Sequence, residues 1–159
     1  MGKLLRSAHI LLGNVAVRVS NLGRPELTLG VRLLALDDRE RVFLVRHSYY
    51  PDLHLPGGAV DAGESSREAA EREAREEGNL EFDAPPDLFH IYWNPVGGRR
   101  DHIVLFVARN ARQSRPRPPS LEIVAAGFHP LDALPGSLSD GTQRRLDEVL
   151  GGAPPSDRW

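Results

Sequence analysis

The 159-residue chain has no cysteine, which rules out a disulfide framework, a thiolate nucleophile and a thiolate metal site. It has no apolar run near the ~20 residues of a membrane-spanning helix, so no stable membrane insertion is expected. An excess of either charge is also missing: 20 Lys and Arg against 22 Asp and Glu leave a formal charge of −2. Such balance does not favour bulk electrostatic attachment to nucleic acid, and no DNA partner is expected. Aromatic residues are few at 6%, but 40% apolar and 26% charged content is ordinary for a soluble globular protein, and a cytoplasmic location is expected. The length fits one domain with a real core. The excess is local, with nine of the 22 acids lying between Asp61 and Asp83.

The two ends read differently from the middle. Residues 1–26 form a basic extension carrying Lys3, Arg6, Arg18 and Arg24 and, up to residue 25, no acid. Leu4, Ala8, Leu11, Leu12, Val15 and Val19 recur at helical spacing, while Val15, Val17 and Val19 also alternate as in a strand. A signal peptide fits poorly, because His9, Gly13 and Asn14 interrupt the apolar run. An amphipathic helix packed on the domain or on a homodimer partner is expected. A weak contact with an anionic membrane surface is the alternative. Residues 151–159, opening on Gly151-Gly152-Ala153-Pro154-Pro155, are expected to form a flexible tail.

Between them, residues 27–150 read as the folded domain. Leu27–Asp37 and Arg41–Arg46 are strand-like runs around an Asp37-Asp38 turn, which predicts a hairpin. Pro56-Gly57-Gly58 is a loop. Ser65-Ser66 can cap a helix running to Glu77, and Gly78-Asn79 ends it. Phe89–Trp93, Ile103–Ala108 and Glu122–Phe128 are further strands, Arg112–Ser120 is a basic loop, and Thr142–Leu150 is a closing helix. Strands on both sides of one central helix predict an α/β or α+β layered domain.

The acids on that central helix are arranged for chemistry. Glu73 lies three residues before Glu76 and four before Glu77, so the carboxylates project from one side and favour a counter-ion. Mg²⁺ binds through a few carboxylates, waters and substrate phosphates. The adjacent Gly57-Gly58 loop allows close backbone approach. A solvated surface helix is the rival reading, and Glu68 with Arg72 and Glu71 with Arg75 suit it.

Gly58, five residues, Glu64, seven residues, then Arg72-Glu73-Ala74-Arg75-Glu76-Glu77-Gly78-Asn79-Leu80 resembles the Nudix box. Six of its seven letter-fixed positions match, and Asn79 replaces a glycine at a helix end that asparagine also tolerates. Leu55-Pro56-Gly57-Gly58 is similar to the segment that commonly precedes the box, with His54 where an aromatic is frequent. The resemblance implies a MutT-like Nudix hydrolase: an α/β/α sandwich around a mixed sheet, cleaving a pyrophosphate bond with Mg²⁺ or Mn²⁺. It further implies Glu73, Glu76, Glu77 and the Gly58 carbonyl as metal ligands, Arg72 as a positioning residue and Glu64 as its support. The general base comes from the box helix or from a later loop, where Glu122 is the candidate.

The substrate implied is a small nucleotide: ADP-ribose, a sugar nucleotide or a nucleoside triphosphate. Arg46, His47, Tyr49 and Tyr50 lie between the second strand and the glycine loop, where an arginine can hold a phosphate and a tyrosine can stack on a base. His54 and the Arg99-Arg100 pair are further substrate-binding candidates. Arg99, Arg100, Arg112, Arg115 and Arg117 would line a groove for the rival substrate, a 5′-triphosphorylated or capped RNA. A second rival is a nucleotide sensor without hydrolysis, against which the intact glutamates argue.

Overall fold

A computed structural model describes residues 27–95 and 100–159. The expectations for residues 1–26 and for Arg99 lie outside the described residues. Among the described residues, eight strands and two α-helices follow in order: β1 (Leu27–Ala35), β2 (Val42–His47), β3 (Leu53–His54), α1 (Ser66–Gly78), β4 (Leu80–Glu81), β5 (Asp87–Asn94), β6 (Arg100–Ala108), β7 (Arg112–Gln113), β8 (Ile123–His129) and α2 (Asp140–Val149). Strand β6 is central to one sheet, parallel to β1 and antiparallel to β5. Strand β2 is central to a second sheet, antiparallel to β3 and β8, while β4 and β7 form a short pair.

The predicted β1–β2 hairpin is corrected. Among the described residues the two strands share no ladder, and an isolated bridge from Leu36, just past β1, to Val42 joins them. The Asp37 turn is present, but the free edge of β1 is taken by the glycine loop instead. Val31 N–H donates to the Gly58 carbonyl at 2.8 Å, Leu33 N–H to Pro56 at 2.9 Å, and Val60 N–H to Leu29 at 2.9 Å. The loop thereby sits against β1 as an extra edge.

Two cores lie on opposite faces of the strands, as period-two alternation requires. Val31, Leu33, Phe43, Val45, Val104 and Phe106 pack against Ala69, Ala70 and Ala74 of α1. Leu34, Leu36, Val42, Leu44 and Leu105 pack against Leu146 of α2. The result is the expected α/β/α arrangement with mixed strands.

Helix α1 starts on a capping box. Glu68 N–H donates to Ser65 Oγ at 3.3 Å, and Ser65 N–H donates to the Glu68 carboxylate at 2.8 Å. It ends on Asn79 at φ 51°, the left-handed stop predicted for it. Gly78 just before leaves room for the Phe43 ring, which a Cβ would strike.

The tail is also corrected. Residues 157–159 add to the outer edge of β5: Trp93 N–H donates to Asp157 at 2.8 Å, and Trp159 N–H donates to Trp93 at 2.9 Å. The buried Arg145 guanidinium stacks between Tyr92 (3.9 Å) and Trp159 (5.1 Å). It also pairs with Glu148 at 2.7 Å. Apolar and cation–π contacts thus hold a segment whose Gly-Pro composition alone predicts fraying.

Candidate active site

The site lies where the glycine loop, braced on β1, meets the inner side of α1. Gly57 N–H donates to the Glu77 carboxylate at 2.8 Å. Gly57 has φ 146°, and a Cβ there would overlap the Val31 carbonyl; a Cβ on Gly58 would overlap the Glu73 carboxylate. Both glycines are therefore required by close approach, and they bring main chain onto two acidic side chains.

Arg72 organises the acids around it. Its guanidinium donates to Glu64 at 2.8 and 3.2 Å, to Glu73 at 2.8 Å, to Glu76 at 3.4 Å and to the Ala59 carbonyl at 3.0 Å. Its hydrogen bonds to the Glu64 and Glu73 carboxylates hold the Arg72 cation firmly protonated, and the Arg72 fork holds the Glu64 carboxyl below its usual range. Glu64 in turn accepts from Asp61 N–H at 2.8 Å, tying the loop to the helix.

A cavity of about 320 Å³ opens over this arrangement, lined by Glu73, Glu77, Arg32, His47, Tyr49, His54 and Glu122 among others. Burial pushes the Glu77 carboxyl up to about 7, with the Glu73 and Glu122 charges adding to the rise and Gly57 N–H and Arg32 opposing it. Burial likewise lowers the His47 imidazole, helped by the Arg32 cation. His47 Nε2 stands 3.6 Å from Glu77, and Tyr49 Oη 3.2 Å from His47 Nδ1. Arg32 donates to the Gly57 carbonyl, and desolvation lowers its pKa against the pull of Glu77 and Glu73.

Glu73, Glu77, Gly58, Tyr49, His54 and Glu122 all meet at this cavity. Glu76 does not line it: its side chain is 61% exposed, against 14% for Glu73 and 9% for Glu77. The reason is helical phase. At about 100° per residue, Glu77 lies about 40° from Glu73 and Glu76 about 60° the other way. Among the described residues, no three His, Asp or Glu side chains form a ready-made metal cage. Arg46 does not line this cavity. It is exposed on β2, and alternation places His47 on the same face as Phe43 and Val45, so His47 reaches the cavity instead. Arg32 went unpredicted. Its signal was a cation in the otherwise apolar run Leu27–Ala35.

A second cavity of about 650 Å³ shares Arg32, Gly58 and Ala59 with the first. It also includes Asp101, whose carboxylate accepts from Thr28 Oγ1 at 2.7 Å and Asn94 Nδ2 at 2.8 Å.

Comparison with known families decides the classification. The NUDIX domain matches residues 26–149. The chain belongs to the Nudix hydrolase family. A Bacillus subtilis (strain 168) protein named "Putative 8-oxo-dGTP diphosphatase" is 44% identical over 50 residues, 31% of this chain and 34% of that protein. The chain thus spans about a third of the length of that curated relative. A MutT NUDIX hydrolase from Burkholderia pseudomallei shares the fold at a TM-score of 0.62 and 24% identity, covering 78% of this chain and 98% of that one. An ADP-ribose pyrophosphatase from Streptococcus suis 89-1591 aligns at a TM-score of 0.58 and 25% identity, covering 83% and 95%. The expected Nudix fold and family hold.

Proposed function

We propose that the chain hydrolyses a pyrophosphate bond in a small nucleoside diphosphate derivative, with a divalent cation bound at the glycine loop and α1. The observation that carries this reading is the contact of the Gly57-Gly58 main chain with the Glu77 and Glu73 carboxylates. The donor set suits a hard cation: carboxylate oxygens of Glu73 and Glu77, Glu76 at the rim, and the Gly58 carbonyl, whose second lone pair is free beside its bond to Val31. The residues therefore fit Mg²⁺ or Mn²⁺ held by few protein ligands together with water and phosphate. Such an ion supplies charge neutralisation at the pyrophosphate and a more acidic water.

The chain's own groups account for the rest of the reading. Arg72 holds Glu73 and the Glu64 loop in a fixed geometry by forked donation. Arg32, at the junction of the two cavities, offers positive charge to a phosphate. Glu122, just before β8 and lining the same cavity, is the candidate to take a proton from the attacking water. Tyr49 and His54 form the walls, and His54 Nε2 is buried without a partner among the described residues, a donor or acceptor for substrate. The 650 Å³ cavity suits the nucleoside or the linked moiety. The relatives named for 8-oxo-dGTP and ADP-ribose keep nucleoside triphosphates and ADP-ribose-like compounds as the substrates to try.

The exposed position of Glu76, away from Glu73 and Glu77, favours one second reading, a nucleotide-binding domain without turnover. Phosphate or nucleotide release from a panel of ADP-ribose, UDP-sugars and nucleoside triphosphates, with and without Mg²⁺, separates the two. Metal-dependent turnover that falls in Glu77→Gln supports hydrolysis. Binding without turnover across the panel supports the second reading. Metal-independent turnover, or full activity in Glu77→Gln, contradicts the site.

A further inference from the structure

The face of the β1–β6–β5 sheet turned away from α1 ends in a polar row. Val31, Leu33, Val104 and Phe106 pack on α1, so alternation turns Thr28, Gly30 and Arg32 of β1 and Asp101 and Ile103 of β6 to the other side. Strand register sets Thr28, Asp101 and Asn94 side by side, with Gly30 and Ile103 in the next row and Arg32 in the row beyond. All six line the 650 Å³ cavity. Its middle is apolar, and the Arg32 cation and the Asp101 carboxylate belong to opposite ends. The outer rows lie about 13 Å apart, four residues of extended strand.

This polarity orients a ligand. Arg32 donates to the Gly57 carbonyl, so its end of the cavity adjoins the glycine loop, where the phosphates of the proposed substrate are placed. A phosphate at the other end would face the Asp101 carboxylate and be repelled. A nucleotide is thereby directed with its nucleoside towards Asp101.

Asp101 is also held still. Its Oδ1 accepts from Thr28 Oγ1 at 2.7 Å and its Oδ2 from Asn94 Nδ2 at 2.8 Å. One partner on each neighbouring strand fixes the carboxylate before a ligand arrives, which removes an ordering cost from binding. An ionised carboxylate only accepts and has about four acceptor positions, of which these neighbours use two. Thr28 gives its one proton to Asp101, so towards the cavity its oxygen can only accept as well. That end of the cavity is dominated by acceptors and is matched by a ligand edge that carries donors.

We infer that Asp101, braced by Thr28 and Asn94, is a specificity-determining residue that selects nucleosides presenting two adjacent hydrogen-bond donors. Two nucleoside groups have this chemistry: the guanine edge, with N1–H beside the 2-amino group, and the ribose 2′,3′-diol. Hypoxanthine lacks the 2-amino donor, adenine has an acceptor at N1, and deoxyribose lacks the 2′-hydroxyl. The inference rests on the nucleotide reading of the site, but binding tests it without any turnover.

Affinities of the α,β-methylene analogues of GDP, IDP, ADP and dGDP, whose P–C–P bridge resists hydrolysis, are measured with Mg²⁺ by equilibrium dialysis. The proteins are wild type, Asp101→Asn and Thr28→Val. Wild type is expected to bind the GDP analogue at least ~10-fold tighter than an analogue lacking a donor, because a hydrogen bond to a charged group is lost. Weaker IDP and ADP analogues identify the base as the group read; a weaker dGDP analogue identifies the diol. Asp101→Asn puts a donor in place of an acceptor and should shrink the preference to within ~3-fold, and Thr28→Val should shrink it in the same direction. Methylenediphosphonate carries no nucleoside and should bind all three proteins alike. Equal affinities for the four analogues in wild type, a preference that Asp101→Asn leaves intact, or a matching loss of methylenediphosphonate binding would overturn the inference. Wild type that binds none of the analogues would overturn the nucleotide reading with it, a result distinct from binding without preference.

Discussion

Gly57 N–H donates to the Glu77 carboxylate at 2.8 Å, across the 20 residues that separate loop from helix. This contact links sequence to chemistry: it needs a glycine at φ 146° on the loop and a buried acid on the last turn of α1. With the neighbouring Gly58–Glu73 approach it supports the proposed place of a cation.

Gly58→Ala tests that approach, because its methyl group would displace the Glu73 carboxylate. A displacement of about 1 Å at the reacting groups is expected to lower kcat/KM by about 100-fold. Circular dichroism should show the fold retained, since the clash falls on a side chain. Unchanged kcat/KM would remove Glu73 from the site.

Arg72→Lys keeps the charge and loses the fork that holds Glu64, Glu73 and the Ala59 carbonyl together. We expect kcat to fall about 10-fold or more, because a point charge does not reproduce bidentate donation. The thermal midpoint should change little, and a kcat equal to wild type would show that Arg72 does not position the acids.

Asp37 closes the β1–β2 turn. Burial pushes its pKa up, but Arg41 and Arg39 N–H groups and the Arg41 side chain outweigh that and hold it below the usual range. A depressed folded-state pKa gives stability that is present above the unfolded value of about 3.9 and lost as pH falls through the folded one. Asp37→Asn is expected to cost about 1–3 kcal/mol near pH 7, with the gap narrowing below about pH 4. Urea midpoints at pH 7 and at pH 3.5 check this; a pH-independent gap would contradict it.

Trp159→Ala removes the tail's anchor on Arg145 and Tyr92. The half-buried indole should be worth about 2 kcal/mol, read as a lower urea midpoint at constant m. An unchanged midpoint would mean that the docked tail contributes nothing to stability.

Much of this architecture was legible in the sequence because it is local. The Ser65 cap and the Asn79 stop depend on residues within a few positions of one another. Pairings between distant segments were not legible. Nothing near β1 states that the glycine loop, rather than β2, takes its edge, and nothing in Gly151–Pro155 states that Trp159 finds Arg145. The site divides in the same way. Spacing put Glu73, Glu76 and Glu77 on one side of the helix, but helical phase leaves only Glu73 and Glu77 at the cavity, and strand alternation puts His47 there rather than Arg46. Arg32 was visible as an isolated cation in an apolar strand, but only the fold brings it to the cavity.

The central claim is that the Glu73 and Glu77 carboxylates, with the Gly58 carbonyl, hold a divalent cation. Titration of Mn²⁺ followed by the paramagnetic resonance signal of the free ion measures this directly, in wild type and in Glu73→Gln/Glu77→Gln. The account predicts binding by wild type, strengthened by a nucleoside diphosphate, and a loss of at least ~10-fold in affinity in the double variant. Equal affinity in the two proteins would contradict it.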